Sequence, residues 1–128
     1  MNNILSDLAE LLDYLQITFE TGVYSDEIPE GVDAFAVIVP GTSDFTEYSD
    51  NFPGFDIQRA SIQVAVKKNY ADLQARIAAA LLWKGFYVQE RVYEGYNDTS
   101  GCHAFTINVE RVYDMEPYTD LIRKFMEG

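Results

Sequence analysis

The sequence predicts an α+β domain in which helices pack on one face of a mostly antiparallel sheet of four or five strands. The hydrophobic spacing switches between a period of about 3.6 residues, typical of helices, and alternation, typical of strands. The segments follow the order α-β-β-β-α-β-β-α, so most neighbouring strands are expected to pair antiparallel. The length of 128 residues favours a single domain over residues 1–128.

The first two elements are separated by a change of period. Leucine and isoleucine recur at three- and four-residue spacing from residue 4 to residue 15, which predicts a helix that Asn2 or Asn3 can cap. Alternate residues are then apolar in Ile17–Tyr24, which predicts a half-buried strand. Proline and glycine in Ser25–Asp33 predict a turn.

A buried strand and a long loop are expected next. Ala34–Val39 is apolar throughout, as in a strand at the centre of a sheet. Pro40–Phe55 is rich in turn-forming residues and predicts a loop longer than most compact domains contain. Its aromatic side chains fit two interpretations: they fold back onto the domain's own core, or they contact a partner or a neighbouring copy. These residues are Phe45, Tyr48, Phe52 and Phe55.

The second half of the chain predicts a strand, a helix, a hairpin and a final helix. Ile57–Lys67 alternates cleanly, and an Ala-rich helix follows, with Asn69 as its expected cap and Gly85 as its end. Two strands, Phe86–Tyr93 and His103–Tyr113, are expected to pair through the segment between them. The tail predicts a short helix with these residues on one side: Leu121, Ile122, Phe125 and Met126.

Residue types that perform catalysis or bind metals are scarce. Cys102 and His103 are the single cysteine and the single histidine, and adjacent strand residues point to opposite faces, so they do not form a nucleophile–base pair. The acids in Asp26–Glu30 and Asp44–Asp50 lack EF-hand spacing, and no glycine-rich phosphate loop is present. We therefore predict that the protein is not an enzyme and has no catalytic residue, metal or cofactor. The lone cysteine favours a reducing compartment.

The charge of −12 is unevenly distributed. Residues 1–58 contain twelve acidic residues and no Lys or Arg, whereas residues 59–128 contain nine of each sign. Because nucleic-acid binding requires bases that displace phosphate counterions, nucleic acids and anionic membranes are poor ligands for this chain. The charge fits either solubility or a surface past which a polyanion slides without adhering. The candidate acids for such a surface are Asp7, Glu10 and Asp13 in the first helix and Asp44, Glu47 and Asp50 in the loop. We expect the loop set to lie at an interface and other acids of the first half to face the passing polyanion.

Two further aromatic residues are candidates for an interface. Trp83, at the end of the second helix, fits either core packing or an anchor between subunits, since Trp is enriched in interface hot spots. Tyr96 belongs to a group of tyrosines around the last hairpin that fits a semi-exposed interface or ordinary strand propensity. The predicted interface set is therefore Phe45, Tyr48, Phe52, Phe55, Trp83 and Tyr96.

The run FDIQRASIQVAVKKNYADLQARIAAALLWKGFYV joins an alternating strand, an Ala-rich helix and a further strand, behind a leucine-rich helix and before a hairpin. This layout resembles the tail terminator or minor capsid (head–tail joining) proteins of long-tailed bacteriophages. The resemblance implies a structural virion protein of the head–tail junction, made in the host cytoplasm. It also implies a homo-oligomer, a hexameric ring that caps the tail tube, contacts the tube protein and the head connector protein, and lets DNA pass without specific binding.

Two other classes of protein stay open. One is a small acidic α+β domain with a ligand-binding or regulatory role, whose ligand lies between sheet and helices. The other is an inhibitor that mimics DNA, which requires acids spaced like phosphates across one face.

Overall fold

The computed structural model describes residues 3–22, 29 and 31–128, and they adopt the predicted α+β architecture and element order. The expected strand residues Val23 and Tyr24, and most of the expected turn with Asp26, Glu27 and Glu30, lie outside the described residues. The elements are α1 (Ile4–Tyr14), β1 (Thr18–Thr21), β2 (Ala34–Thr46), β3 (Phe55–Val66), α2 (Tyr70–Trp83), β4 (Tyr87–Asn97), β5 (Cys102–Asp114) and α3 (Glu116–Glu127).

The strands form one five-stranded sheet with the order β1-β2-β3-β5-β4. β1 pairs parallel with β2, and the other three adjacent pairs are antiparallel. The prediction of a mostly antiparallel sheet is therefore confirmed, with β1 and β4 at its two edges.

The hydrophobic core lies between one face of this sheet and the helices α1 and α2. Alternate residues of β3 point into this core, as the sequence predicts. The residues between them point to the opposite face of the sheet. We call the covered side the helix face. Its buried residues include Leu8 and Leu12 of α1, Ile62 and Val64 of β3, Ile77 and Leu81 of α2, and Phe105 and Ile107 of β5.

The helix ends follow the sequence signals in two of three cases. The Asn3 side chain accepts a hydrogen bond from the backbone N–H of Ser6 at 2.9 Å, so it caps α1. Gly85 ends α2 with φ of 85°. Asn69 occupies the predicted N-cap position of α2, but its side chain makes no capping hydrogen bond, and its backbone is left-handed with φ of 54°. Asn tolerates this conformation, and here it makes the sharp turn from β3 into α2.

The predicted loop Pro40–Phe55 is wrong at its beginning, whereas its end lies within one residue of the observed connection. β2 continues to Thr46 and β3 begins at Phe55, so only residues 47–54 connect the two strands. Residues 40–45 are exposed on both faces, so no apolar alternation marks this part of the strand, and a bulge between Pro40 and Ser43 shifts its register. Gly41 permits this close approach, since a Cβ there would lie 2.9 Å from the carbonyl oxygen of Arg59. We call residues 40–60 the arm.

The closing hairpin is confirmed, but its strands are longer than predicted. β4 runs on to Asn97, past the predicted end at Tyr93, because a bulge with Gly95 at φ of 113° lets the pairing with β5 continue. The turn is reduced to residues 98–101, and the Asn97 side chain accepts the backbone N–H of Thr99 at 2.8 Å.

Candidate functional site

The single cysteine and histidine do not form a reactive pair. Cys102 is buried at the start of β5, and its Sγ donates to the carbonyl oxygen of Ser100 at 3.5 Å. His103 points to the helix face, where its Nδ1 shares a hydrogen bond with the Tyr93 hydroxyl at 2.8 Å and its ring packs on Tyr70. In the described part of the chain, no group of three His, Cys, Asp or Glu residues is arranged to hold a metal ion.

The most unusual surface feature is the apolar side of α3. Residues 121, 122, 125 and 126 lie on one side of the helix, and none of them is buried. Phe125 and Met126 expose 80% and 83% of their surface. We call these four residues the α3 strip. Contiguous exposed apolar groups of this kind are found at protein–protein, membrane and ligand-binding surfaces.

α3 is attached to the body through its first turn. The Tyr118 hydroxyl donates to Asp56 Oδ2 at 3.0 Å, and the Tyr118 ring packs edge to face on Phe45, with 5.1 Å between ring centroids. Asp56 is only 2% exposed and also accepts from Gln58 Nε2 at 2.7 Å. Burial, and the hydrogen bond to Asp56, raise the pKa of Tyr118 above its ordinary value. The first turn is thus fixed to β3, and the strip projects beyond it.

The same polar network reaches the start of α1. Gln58 Oε1 accepts the backbone N–H of Ile4 at 2.8 Å. One chain of hydrogen bonds therefore ties α1, β3 and α3 together at the end of the sheet where the arm begins.

A groove of about 860 Å³ lies between α1, the end of α2 and α3. At its floor the Tyr113 hydroxyl donates to Asp7 Oδ2 at 2.6 Å, and Arg111 Nη1 lies 3.4 Å from the same oxygen. Burial, followed by the hydrogen bond to Asp7, raises the pKa of Tyr113 far above its ordinary value, so this hydroxyl stays a donor. Arg111 also lies over the Phe86 ring at 4.6 Å. The polar groups of the floor thus satisfy one another.

Trp83 lies at the rim of this groove and not in the core. Its side chain is 65% exposed, with its ring 6.0 Å from the Tyr14 ring and the Lys84 ammonium 4.2 Å above it. The core-packing interpretation of Trp83 is therefore wrong, and a role as an interface anchor stays a prediction.

The other predicted interface residues fall into two separate groups. The arm aromatics are all exposed, so none of them packs into the core, and Phe45 contacts Tyr118 of α3. Their contact with a partner or a neighbouring copy stays a prediction. Tyr96 is exposed at the opposite end of the sheet, where it packs on His103 at 4.9 Å. The arm group consists of Phe45, Tyr48, Phe52 and Phe55.

The edge strand β4 carries further members of the tyrosine group around the last hairpin, for which the sequence left an interface and ordinary strand propensity open. Tyr87 is 66% exposed on the face opposite the helices, Val92 is exposed on the same face, and Tyr93 is exposed on the helix face. The available signal was the dense Tyr and Val content of Tyr87–Tyr96, which fitted a paired strand equally well.

The acids of the first half do not form one uniform surface. Asp56 is buried, Asp7 faces the groove, and Asp44 pairs with Arg59 at 2.6 Å. The exposed members of the two candidate sets that form no ion pair with a described residue are Glu10, Asp13, Glu47 and Asp50.

Comparison with known proteins finds no matching family model and no matching curated protein. None of the helices in the described ranges has both the length and the apolar character needed to cross a membrane.

Proposed function

We propose that the protein is a structural virion protein that forms a ring at the head–tail junction of a long-tailed bacteriophage, caps the tail tube and lets DNA pass. The observation that carries an assembly role is the α3 strip. Fully burying a side chain such as Phe125 or Met126 contributes about 1.5–3 kcal/mol, so covering the strip favours association with another protein. The placement of that partner at a phage head–tail junction rests on the resemblance of residues 55–88 to tail terminators.

The charge of the first half supports passage of DNA without adhesion. The exposed carboxylates Glu10, Asp13, Glu47 and Asp50 offer no cation to replace phosphate counterions, and Lys and Arg are absent from residues 1–58. A channel lined by such a surface repels the DNA backbone and leaves it mobile. Replacing the α1 acids Glu10 and Asp13 with Lys is expected to slow DNA ejection, more at low salt than at high salt, if this side of α1 lines the channel.

The direct test is the structure and composition of phage particles that contain the chain. The expected result is several copies arranged as a ring between head connector and tail tube. A single copy per particle, or absence of the chain from every particle type of the lysate, contradicts the proposal.

A paired variant tests the α3 strip itself. Phe125→Ser combined with Met126→Ser is expected to fold normally, because both side chains are exposed, but to be lost from particles. Arg123→Ala is the matched control on the polar side of the same helix, and it is expected to enter particles like the parent protein. If the parent protein, the double variant and the control enter particles equally, the α3 strip is not needed for assembly and this part of the proposal is wrong.

The groove between α1 and α3 favours a second candidate, a ligand-binding domain. Its volume of about 860 Å³ is in the range of small-molecule sites. Under this alternative, a small molecule raises the Tm of the purified monomer, and mutation of Trp83 at the rim abolishes that rise. A chain that enters particles and shows no such ligand supports the ring instead.

A further inference from the structure

We infer that copies of this chain join edge to edge, with β4 of one copy pairing antiparallel with β1 of the next, so that the sheets continue around the ring. The inference deepens the proposed function and rests on its self-association. A strand at a sheet edge presents a row of unpaired N–H and C=O groups that a further strand can take up. β4 is an edge of eleven residues with exposed Tyr and Val side chains, and no described residue pairs with its outer side.

The strand directions of the two edges fit this contact. β1 and β2 run the same way, β3 runs opposite, β5 runs with β2, and β4 runs opposite to β1. If two copies stand side by side in the same orientation, β4 therefore meets the next β1 antiparallel. This is the more stable pairing, and two copies related by rotation about an axis along the strands retain it.

The residue pairing across the sheet predicts which residues of the two copies meet. Residues that pair with one another in successive strands lie at the same height along the strand direction, and we call such residues level. Tyr93 lies level with Phe105, Val64, Ala36 and finally Phe19 of β1, all on the helix face. Rotation about an axis parallel to the strands does not change the height of a residue along that axis. Tyr93 therefore comes opposite Phe19 of the next copy. Tyr93 is exposed and Phe19 is half-buried, so each ring has surface left for a cross-strand aromatic pair.

The same reasoning predicts a second residue pair, Val92 and Glu20, on the face of the sheet opposite the helices. Val92 is level with Thr106, Gln63, Val37 and Glu20. Val92 therefore comes opposite Glu20 of the next copy, and both side chains point away from the helices.

Charge favours this head-to-tail contact over a two-fold contact between two β4 strands. An antiparallel β4 pair centred on Val92 places Glu90 directly opposite Glu94, twice, which is unfavourable. In the β4–β1 contact, by contrast, no two acids come directly opposite, because Glu20, the one acid of β1, faces the uncharged Val92.

Disulfide trapping between two single-cysteine additions tests the contact. Val92→Cys and Glu20→Cys are made separately, with the buried Cys102 left in place, and the two proteins are mixed under oxidising conditions. If light scattering shows that the purified protein associates, the test is made on this mixture. If it does not associate, both variants are incorporated together into phage particles and the test is made there. Asp98→Cys, in the exposed β4–β5 turn, mixed with Glu20→Cys is the matched control. Circular dichroism and Tm verify that each variant folds.

The expected result is a mixed Val92→Cys/Glu20→Cys disulfide dimer at a yield at least about tenfold above the control, because the contact raises the effective concentration of the two thiols. Dimers from Val92→Cys alone show a two-fold β4 contact and overturn the inference. Absence of the mixed dimer in protein that forms rings also overturns it and leaves the proposed function intact. Mixed dimers from protein that is absent from all particles support the edge contact and contradict the proposed function.

Discussion

Tyr118 is predicted to hold α3 on the domain almost alone. Its hydroxyl donates to the buried Asp56, and its ring packs on Phe45. No residue of α3 is buried, so few other contacts stabilise its docking. A hydrogen bond to a charged acceptor contributes about 1.5–3 kcal/mol, and an edge-to-face aromatic pair contributes about 0.5–1.5 kcal/mol. Tyr118→Ala therefore removes about 2–4 kcal/mol of docking free energy.

This loss is expected to open α3 locally and leave the sheet folded, because docking of the helix is a separate, weaker unit of the structure. Hydrogen exchange of the α3 amides, measured by mass spectrometry, is expected to accelerate at least about 25-fold, since each 1.4 kcal/mol corresponds to a factor of about ten. Exchange in β3 and β5 stays slow. Tyr118→Phe retains the ring contact and is expected to give an intermediate acceleration.

Phe125→Ala is the control, because this side chain lies in the same helix and is exposed. It is expected to leave the exchange of the α3 amides within a few-fold of the parent protein. If Tyr118→Ala exchanges like the parent, the reasoning fails, and contacts other than those of Tyr118 hold the helix.

Three further predictions concern stability. Gly41→Ala places a Cβ 2.9 Å from the Arg59 carbonyl oxygen and is expected to cost about 1–3 kcal/mol in urea unfolding, whereas an unchanged midpoint would show that the bulge can relax. Because the pKa of Tyr113 is raised in the folded state, the folded protein keeps this proton longer than the unfolded chain does. The free energy of unfolding is therefore expected to be fully retained below about pH 10 and to fall above it, and Tyr113→Phe should flatten that fall. Trp83→Ala is expected to change the free energy of unfolding by less than about 0.5 kcal/mol because the ring is exposed, and a loss of about 3–5 kcal/mol would restore a core role.

The spacing of hydrophobic residues predicted those helices and strands that have one buried side and one exposed side. Ala60, Ile62 and Val64 alternate with polar residues because one face of β3 meets the helices, and the spacing of the α1 leucines has the same origin. The strand part of the arm was not predicted because residues 40–45 are exposed on both faces, so no apolar alternation marks them although the hydrogen-bonded pairing continues.

The candidate site depends on contacts that local patterning does not encode. Asp56 and Tyr118 are 62 residues apart, and nothing in either neighbourhood indicates that they bond. The spacing of the α3 strip predicts an amphipathic helix, but periodicity does not say whether the domain itself or another protein covers the apolar side. Trp83 stayed open between core packing and an interface for the same reason, since leucines precede it in a helix that is otherwise partly buried.

The two proposed contacts use different sides of one subunit: the sheet edges for neighbouring copies and the strand ends for other parts of the particle. If the strands run along the ring axis, β1 and β4 face the lateral neighbours, and the ends of the strands face the parts of the particle above and below. α3 follows β5 directly and contacts the arm through Tyr118 and Phe45, so the helix begins at one strand end. Leu121 lines the groove beside α1, whereas Phe125 and Met126 are the most exposed residues of the strip. Under the proposed function, we expect an axial partner such as the tube protein or the connector protein to cover these two side chains. Ring formation and attachment then depend on different residues, so substitutions at Val92 impair the first while substitutions at Phe125 impair the second.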